Sequence, residues 1–229
     1  MFPFLFDEYY LLLVVPTIFL SLWAQFKVKS TFSKYSKVQS SRRITGRQAA
    51  EILLKAGNVL NVRIEATGGT LTDHYDPSKK VVRLSQPVHG ETSIAAIGVA
   101  AHETGHAIQH ALSWGPLGFR SFLVPVANIG SSLGPWLAII GIIMSYPLLI
   151  NIGIIAFSAA VLFYVVTLPV EFNASSRAIA ILRENNVLNE QELKGVRKVL
   201  TAAALTYVAS ALTAIMSLLR LVLLARRRR

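Results

Sequence analysis

The sequence predicts a mainly α-helical integral membrane protein with about four membrane helices and one small β-hairpin. Three observations predict this. Hydrophobic residues make up 53% of the chain and charged residues only 15%, a balance more apolar than a soluble domain needs. Uncharged stretches long enough to cross a bilayer recur along the chain. The one long polar stretch between them is patterned as short strands and helices around the pentad His102-Glu103-Thr104-Gly105-His106.

The first stretch, Tyr9 to Phe26, holds no charge. Asp7 and Glu8 precede it, without the basic start or small-residue cleavage site of a secretory signal, so residues 1–26 read as a retained anchor. Residues 27–120 form the polar region. It opens with the basic cluster Lys27, Lys29, Lys34, Lys37, Arg42 and Arg43. A helix is expected over Thr45 to Ala56, with Thr45 as N-cap and Ala49, Ile52, Leu53 and Ala56 as its apolar face. Strands are expected over Asn58 to Ala66 and Lys80 to Leu84, broken by Gly68-Gly69 and a turn over Asp73 to Pro77. The helix carrying the pentad starts at Thr92 or Ser93, continues to about Leu112 and is ended by Trp114-Gly115-Pro116.

Ser121 to Val170 is uncharged over fifty residues, too long for one span of about 20 and right for a hairpin of two. Ser145-Tyr146-Pro147 is its natural turn. Residues 171–198 return to polar composition. Residues 199–229 comprise the apolar stretch Val199 to Leu219, then Arg220 and the tail Arg226 to Arg229.

The formal net charge of +11 comes from basic residues flanking apolar segments, which suits lipid headgroups as partners. No aromatic–basic interleaving accompanies it, which argues against nucleic acid. Cysteine is absent, so no disulfide forms and a metal site must use His and carboxylates. The basic cluster after the first anchor argues that this side is cytoplasmic and the N-terminus external. The hairpin then brings the segment after Glu171 back to the pentad's side. An Arg tail beyond a fourth span runs against the positive-inside rule.

The pentad carries the chemistry. Two imidazoles four residues apart lie about 40° apart round a helix axis and can reach one Zn²⁺ ion. Glu103 points to a neighbouring angle, where it can take a proton from an activated water. With five His and nine Glu in 229 residues, a chance occurrence of this pattern is rare. A third protein ligand is then needed, and Glu171 fits: it is the first charge after fifty uncharged residues, and it opens a helical run on the pentad's side. The alternative is that Glu171 marks the span end and pairs with Arg177 or Arg183. His110 and His89 take the plain reading of surface or loop residues, because a fourth His ligand would close the site. A scaffold with an inactive metal site is the competing function, and the presence of Glu103 argues against it. A transporter would need polar groups inside the spans.

HETGH followed after a membrane hairpin by EFNAS resembles the gluzincin-type membrane metallopeptidases, distantly the HtpX-like peptidases. The stretches LTDHYDP, VVRLS, AAIGVAAHETGHAIQHA and LPVEFNAS resemble more closely the YugP-like neutral zinc metallopeptidases. The resemblance implies a zincin-like arrangement of helix and strands in a multi-pass cell-membrane enzyme with its active site on the cytoplasmic face. It implies Zn²⁺ on His102, His106 and Glu171, Glu103 as general base, and a protein or peptide substrate. Position 175 is Ser where the HtpX-like pattern has a supporting Asp, so Ser175 supports the site without charge. Arg177, His74 and Tyr207 are candidates to stabilise the transition state. By the same resemblance, a substrate strand would add to Val81–Ser85 or Val62–Ala66.

Overall fold

The computed structural model describes residues 7–227; positions 1–6 of the anchor and Arg228 and Arg229 of the tail lie outside them. The helices, in order, are α1 (Tyr10–Tyr35, opening on a π-helical turn), α2 (Gly46–Ala56), α3 (Gln86–His89), α4 (Ile94–Ala111), α5 (Gly115–Ile143), α6 (Pro147–Glu184) and α7 (Glu190–Arg227). Three strands, β1 (Arg63–Thr67), β2 (His74–Asp76) and β3 (Val81–Ser85), lie between α2 and α3. The chain divides into two compact units.

The first unit comprises residues 7–25, 118–169 and 205–227 of the described chain. α1, α5, α6 and α7 are each long and apolar enough to cross a membrane. The expected turn is found: α5 ends at Ile143 and α6 starts at Pro147. α5 and α6 approach closely because Gly130 has no side chain; a Cβ there would sit 2.1 Å from the Ala156 carbonyl oxygen. Ala127, Ala138, Phe157, Ala160 and Leu221 form the apolar centre. Two arginines near the end of α7 are paired. Arg220, only 8% exposed, donates to Asp7 at 2.6 Å, and Arg227 pairs with Glu8. The acids before α1 thus offset two of the basic residues near the end of α7.

The second unit comprises residues 26–117 and 170–204. α2 is set by a capping box: the Thr45 hydroxyl accepts from the Gln48 backbone N–H at 3.2 Å, and the Gln48 side-chain Oε1 accepts from the Thr45 backbone N–H at 2.8 Å. The sheet order is β1-β3-β2. β3 runs parallel to β1, Arg63 opposite Val81 through Thr67 opposite Ser85, and antiparallel to β2, His74 opposite Arg83. The two expected strands, β1 and β3, pair in parallel and so form no hairpin with each other; the hairpin of this sheet is β2–β3. The expected turn over Asp73 to Pro77 is strand β2 for most of its length. Asp76 turns the chain instead, its carboxylate accepting from the N–H groups of Ser78 and Lys79. Asp73 anchors the other end on Ser85 N–H at 2.7 Å.

α4 runs through the middle of this unit between two apolar clusters. Leu53, Ile97, Leu182, Leu193 and Val196 pack on one side. Val82, Leu84, Val88, Ala107 and Ile108 pack on the other. The small residues of α4 let neighbours come close: a Cβ on Gly98 would meet the Val196 side chain at 3.1 Å.

Candidate metal centre

α4 begins where its cap predicts: the Ser93 hydroxyl accepts from the Ala96 N–H at 3.2 Å. The pentad lies in its middle. His102 and His106 project from one face, their ring centroids 4.8 Å apart and nearly perpendicular.

The third residue arrives on α6. That helix is 38 residues long, about 57 Å at 1.5 Å per residue, well beyond a hydrocarbon core of about 30 Å. Glu171 lies about 36 Å from its start, past one membrane thickness. α6 crosses α4 at Gly105, where a Cβ would stand 2.6 Å from the Ala174 carbonyl oxygen. Only glycine permits that approach. It brings the Glu171 carboxylate onto the imidazole face of α4.

Glu171 Oε2 lies 3.2 Å from His102 Nε2 and 3.5 Å from His106 Nε2. All three ligand atoms fall within 4.8 Å of one another. A tetrahedral zinc with bonds of about 2.0–2.1 Å has ligand–ligand edges of about 3.3–3.5 Å. The His–Glu spacings match those edges. The outward nitrogens are also engaged: His102 Nδ1 lies 3.0 Å from Ser175 Oγ, and His106 Nδ1 lies 3.0 Å from Gln109 Oε1. Where each Nδ1–H is donated outward, the Nε2 lone pairs are left for a metal. This donor set fits Zn²⁺.

The electrostatics follow from burial. Glu171 is 2% exposed and His106 is 8% exposed. Burial alone would lower the His106 pKa, but the Glu171 carboxylate beside it, with a smaller contribution from Glu103, raises it above the usual value. A cation is therefore favoured where the three groups meet. Glu103 is half-buried on the adjoining face of α4.

The other singled-out residues separate. Ser175 meets His102, as a supporting residue should. Arg177 does not reach back for Glu171; its Nε donates to Asn173 Oδ1 at 2.7 Å. Arg183 pairs with Glu190. His74 lies on β2, its Nδ1–H donating to the Thr72 carbonyl at 2.8 Å and its Nε2 accepting from Arg83. Tyr207 lies on α7 in the membrane unit. His110 is exposed and bonds the Tyr75 hydroxyl at 2.8 Å. Of the two expected substrate strands, Val81–Ser85 is the central strand, bonded to β1 along its length and to β2 over Val81–Arg83. A strand paired on both sides has no edge to offer. The free edges are β1, the other expected strand, and β2, and β2 is the one that packs on α4. Gln109, fully buried, was not foreseen. It stands three residues past His106, on the same helix face, and that spacing is the signal that could have found it.

Comparison with known proteins gives the chain a family. No solved structure matches the chain. A curated relative, "Putative membrane protease YugP" of Bacillus subtilis (strain 168), is 50% identical over 215 residues, 94% of this chain and 96% of that protein. The family model described as "Putative neutral zinc metallopeptidase" matches residues 10–226, and the chain belongs to that zinc metallopeptidase family.

Proposed function

We propose that the protein is a membrane-integrated zinc metalloendopeptidase in which His102, His106 and Glu171 hold the metal and Glu103 is the general base. The observation that carries this reading is the meeting of Glu171, sixty-nine residues past His102 in sequence, with both pentad imidazoles at His–Glu spacings close to tetrahedral edges. Zinc held there would polarise a substrate carbonyl and acidify water toward neutrality. Glu103 takes the proton from the attacking water and returns it to the leaving amine. Its place fits that role: one residue on from His102, it is turned about 100° round the helix, and its charge is felt at His106.

The substrate class follows from the sheet. β2 offers unpaired backbone groups beside α4, and an extended peptide can add to it by main-chain hydrogen bonds. The basic residues in the last turns of α1, just beyond it and after Glu171 support a cytoplasmic active site.

Zinc content and hydrolysis of fluorescent casein by the detergent-purified protein test this. About one zinc per chain, with metal-dependent hydrolysis abolished in Glu103→Gln, is expected. A Glu103→Gln variant that still cleaves, or a native chain that binds no zinc, overturns it and favours a scaffold.

A further inference from the structure

We infer that Arg177, Asn173 and Gln109 form a hydrogen-bond relay that fixes the tautomer of His106 and so keeps its Nε2 bare for the metal. The inference rests on the zinc reading above. It concerns which proton sits where, and the donors and acceptors decide it.

The relay starts at a group with only one possible role. The guanidinium of Arg177 donates and never accepts. It donates Nε–H to the side chain of Asn173 at 2.7 Å, so Asn173 must present its carbonyl oxygen there. That same oxygen lies 2.9 Å from the terminal amide of Gln109 and can only accept, so Gln109 must present its NH₂. The second N–H of that NH₂ donates to the Val170 carbonyl at 2.9 Å, which also only accepts. The Gln109 oxygen is then left to face His106 Nδ1 at 3.0 Å. An amide oxygen only accepts, so Nδ1 carries the hydrogen and Nε2 carries the lone pair that faces Glu171.

The reverse orientation shows what the relay prevents. With the Gln109 amide flipped, its NH₂ would point at Nδ1 and its oxygen would oppose those of Asn173 and Val170. His106 would then need its proton on Nε2, where a ligand lone pair belongs. In the fully buried setting of Gln109 no water is at hand to relieve the mismatch. The relay also ties α4 to the turn of α6 that carries Glu171, so one set of bonds sets both the tautomer and the ring orientation. Gln109, Asn173 and Arg177 are positioning residues.

The test is zinc affinity of the full-length, detergent-solubilised protein, read by competition with a chromogenic chelator, beside the thermal midpoint of each zinc-free form. Gln109→Met keeps the volume and removes both acceptor and donors; a loss of about 10–100-fold in zinc affinity is expected. Gln109→Glu keeps an acceptor oxygen toward Nδ1 but sets its other oxygen against those of Asn173 and Val170, so it recovers only part of that loss. Arg177→Met touches no metal ligand and is half-exposed, yet frees Asn173 to rotate; its zinc affinity falls by less, but measurably. It carries the test if Gln109→Met does not fold. Native zinc affinity in both Gln109→Met and Arg177→Met, or a lowered midpoint with unchanged affinity, overturns the relay. A native chain that binds no zinc overturns the metal reading itself, and is told apart because it shows in the unsubstituted protein.

Discussion

Gly105→Ala tests whether the closeness of α4 and α6 makes the metal centre. The added methyl would start 2.6 Å from the Ala174 carbonyl oxygen, which is main chain and cannot rotate aside. Ordinary contact needs about 3.2 Å, so the helices must part by about 0.6 Å. Metal–ligand distances tolerate about 0.2 Å. The displacement is about three times that, and it acts on the side of α4 that faces Glu171. The His–Glu spacings of 3.2 and 3.5 Å would open beyond tetrahedral edges. The expected result is a fall of about 10–100-fold in zinc affinity, together with about 1–3 kcal/mol of overpacking strain. That strain corresponds to a drop of about 2–12 °C in melting temperature for a chain of this length. The assay is chelator competition and thermal melting in detergent. Gly115→Ala is the control, because nothing lies within 4 Å of where its Cβ would be. Gly105→Ala that binds zinc and melts like the control would refute the idea that this crossing sets the site.

Other consequences follow from the same geometry. Glu171→Ala and His102→Ala should each lose stoichiometric zinc, measured by metal analysis; zinc retained in Glu171→Ala would send the search for the third ligand elsewhere. Glu103→Gln should keep zinc while hydrolysis falls at least about 10²-fold, the usual scale of a lost general base. The zinc-free protein should have a distinctive pH profile. His106 has a raised pKa in the folded state, so its pairing with Glu171 stabilises fully below about pH 6.5 and is lost as pH rises through the higher folded value. Its melting temperature should therefore fall on going from about pH 6 to pH 8, and Glu171→Gln should flatten that slope. The zinc-induced rise in melting temperature should run the other way and shrink on acidification, because imidazole must be neutral to bind metal. The chain's lack of cysteine permits a topology test. Ser145→Cys, in the α5–α6 turn, should react with a membrane-impermeant maleimide in intact cells, and Ser78→Cys only after lysis. The opposite pattern would put the active site on the external face.

Local signals in the sequence determined a large part of this protein. Thr45 and Ser93 start their helices because a hydroxyl beside free N–H groups is a short-range effect. Ser145-Tyr146-Pro147 divides the long apolar stretch because that stretch is two span lengths long and proline suits the first position of a new helix. His102 and His106 share a face because helical periodicity alone puts them there. Glu171 stood out as a lone charge at a membrane boundary. What depended on partners distant in sequence was not legible. The segment Asp73 to Pro77 has the composition of a turn and becomes a strand because β3 offers it backbone groups to pair with. β1 and β3 lie parallel, which no local pattern announces. Arg220 and Arg227 pair with Asp7 and Glu8 from the other end of the chain, which no local pattern announces. Arg177, singled out as a charge near the site, turned out to hold Asn173. Gln109 reads as one more polar residue on a helix until the approach of α6 gives its amide two acceptors and its oxygen an imidazole. Capping, periodicity and chain reversal act over a few residues and can be read from them. Strand partners, buried hydrogen-bond direction and ion pairs are chosen by which surfaces meet, and tertiary structure alone decides that.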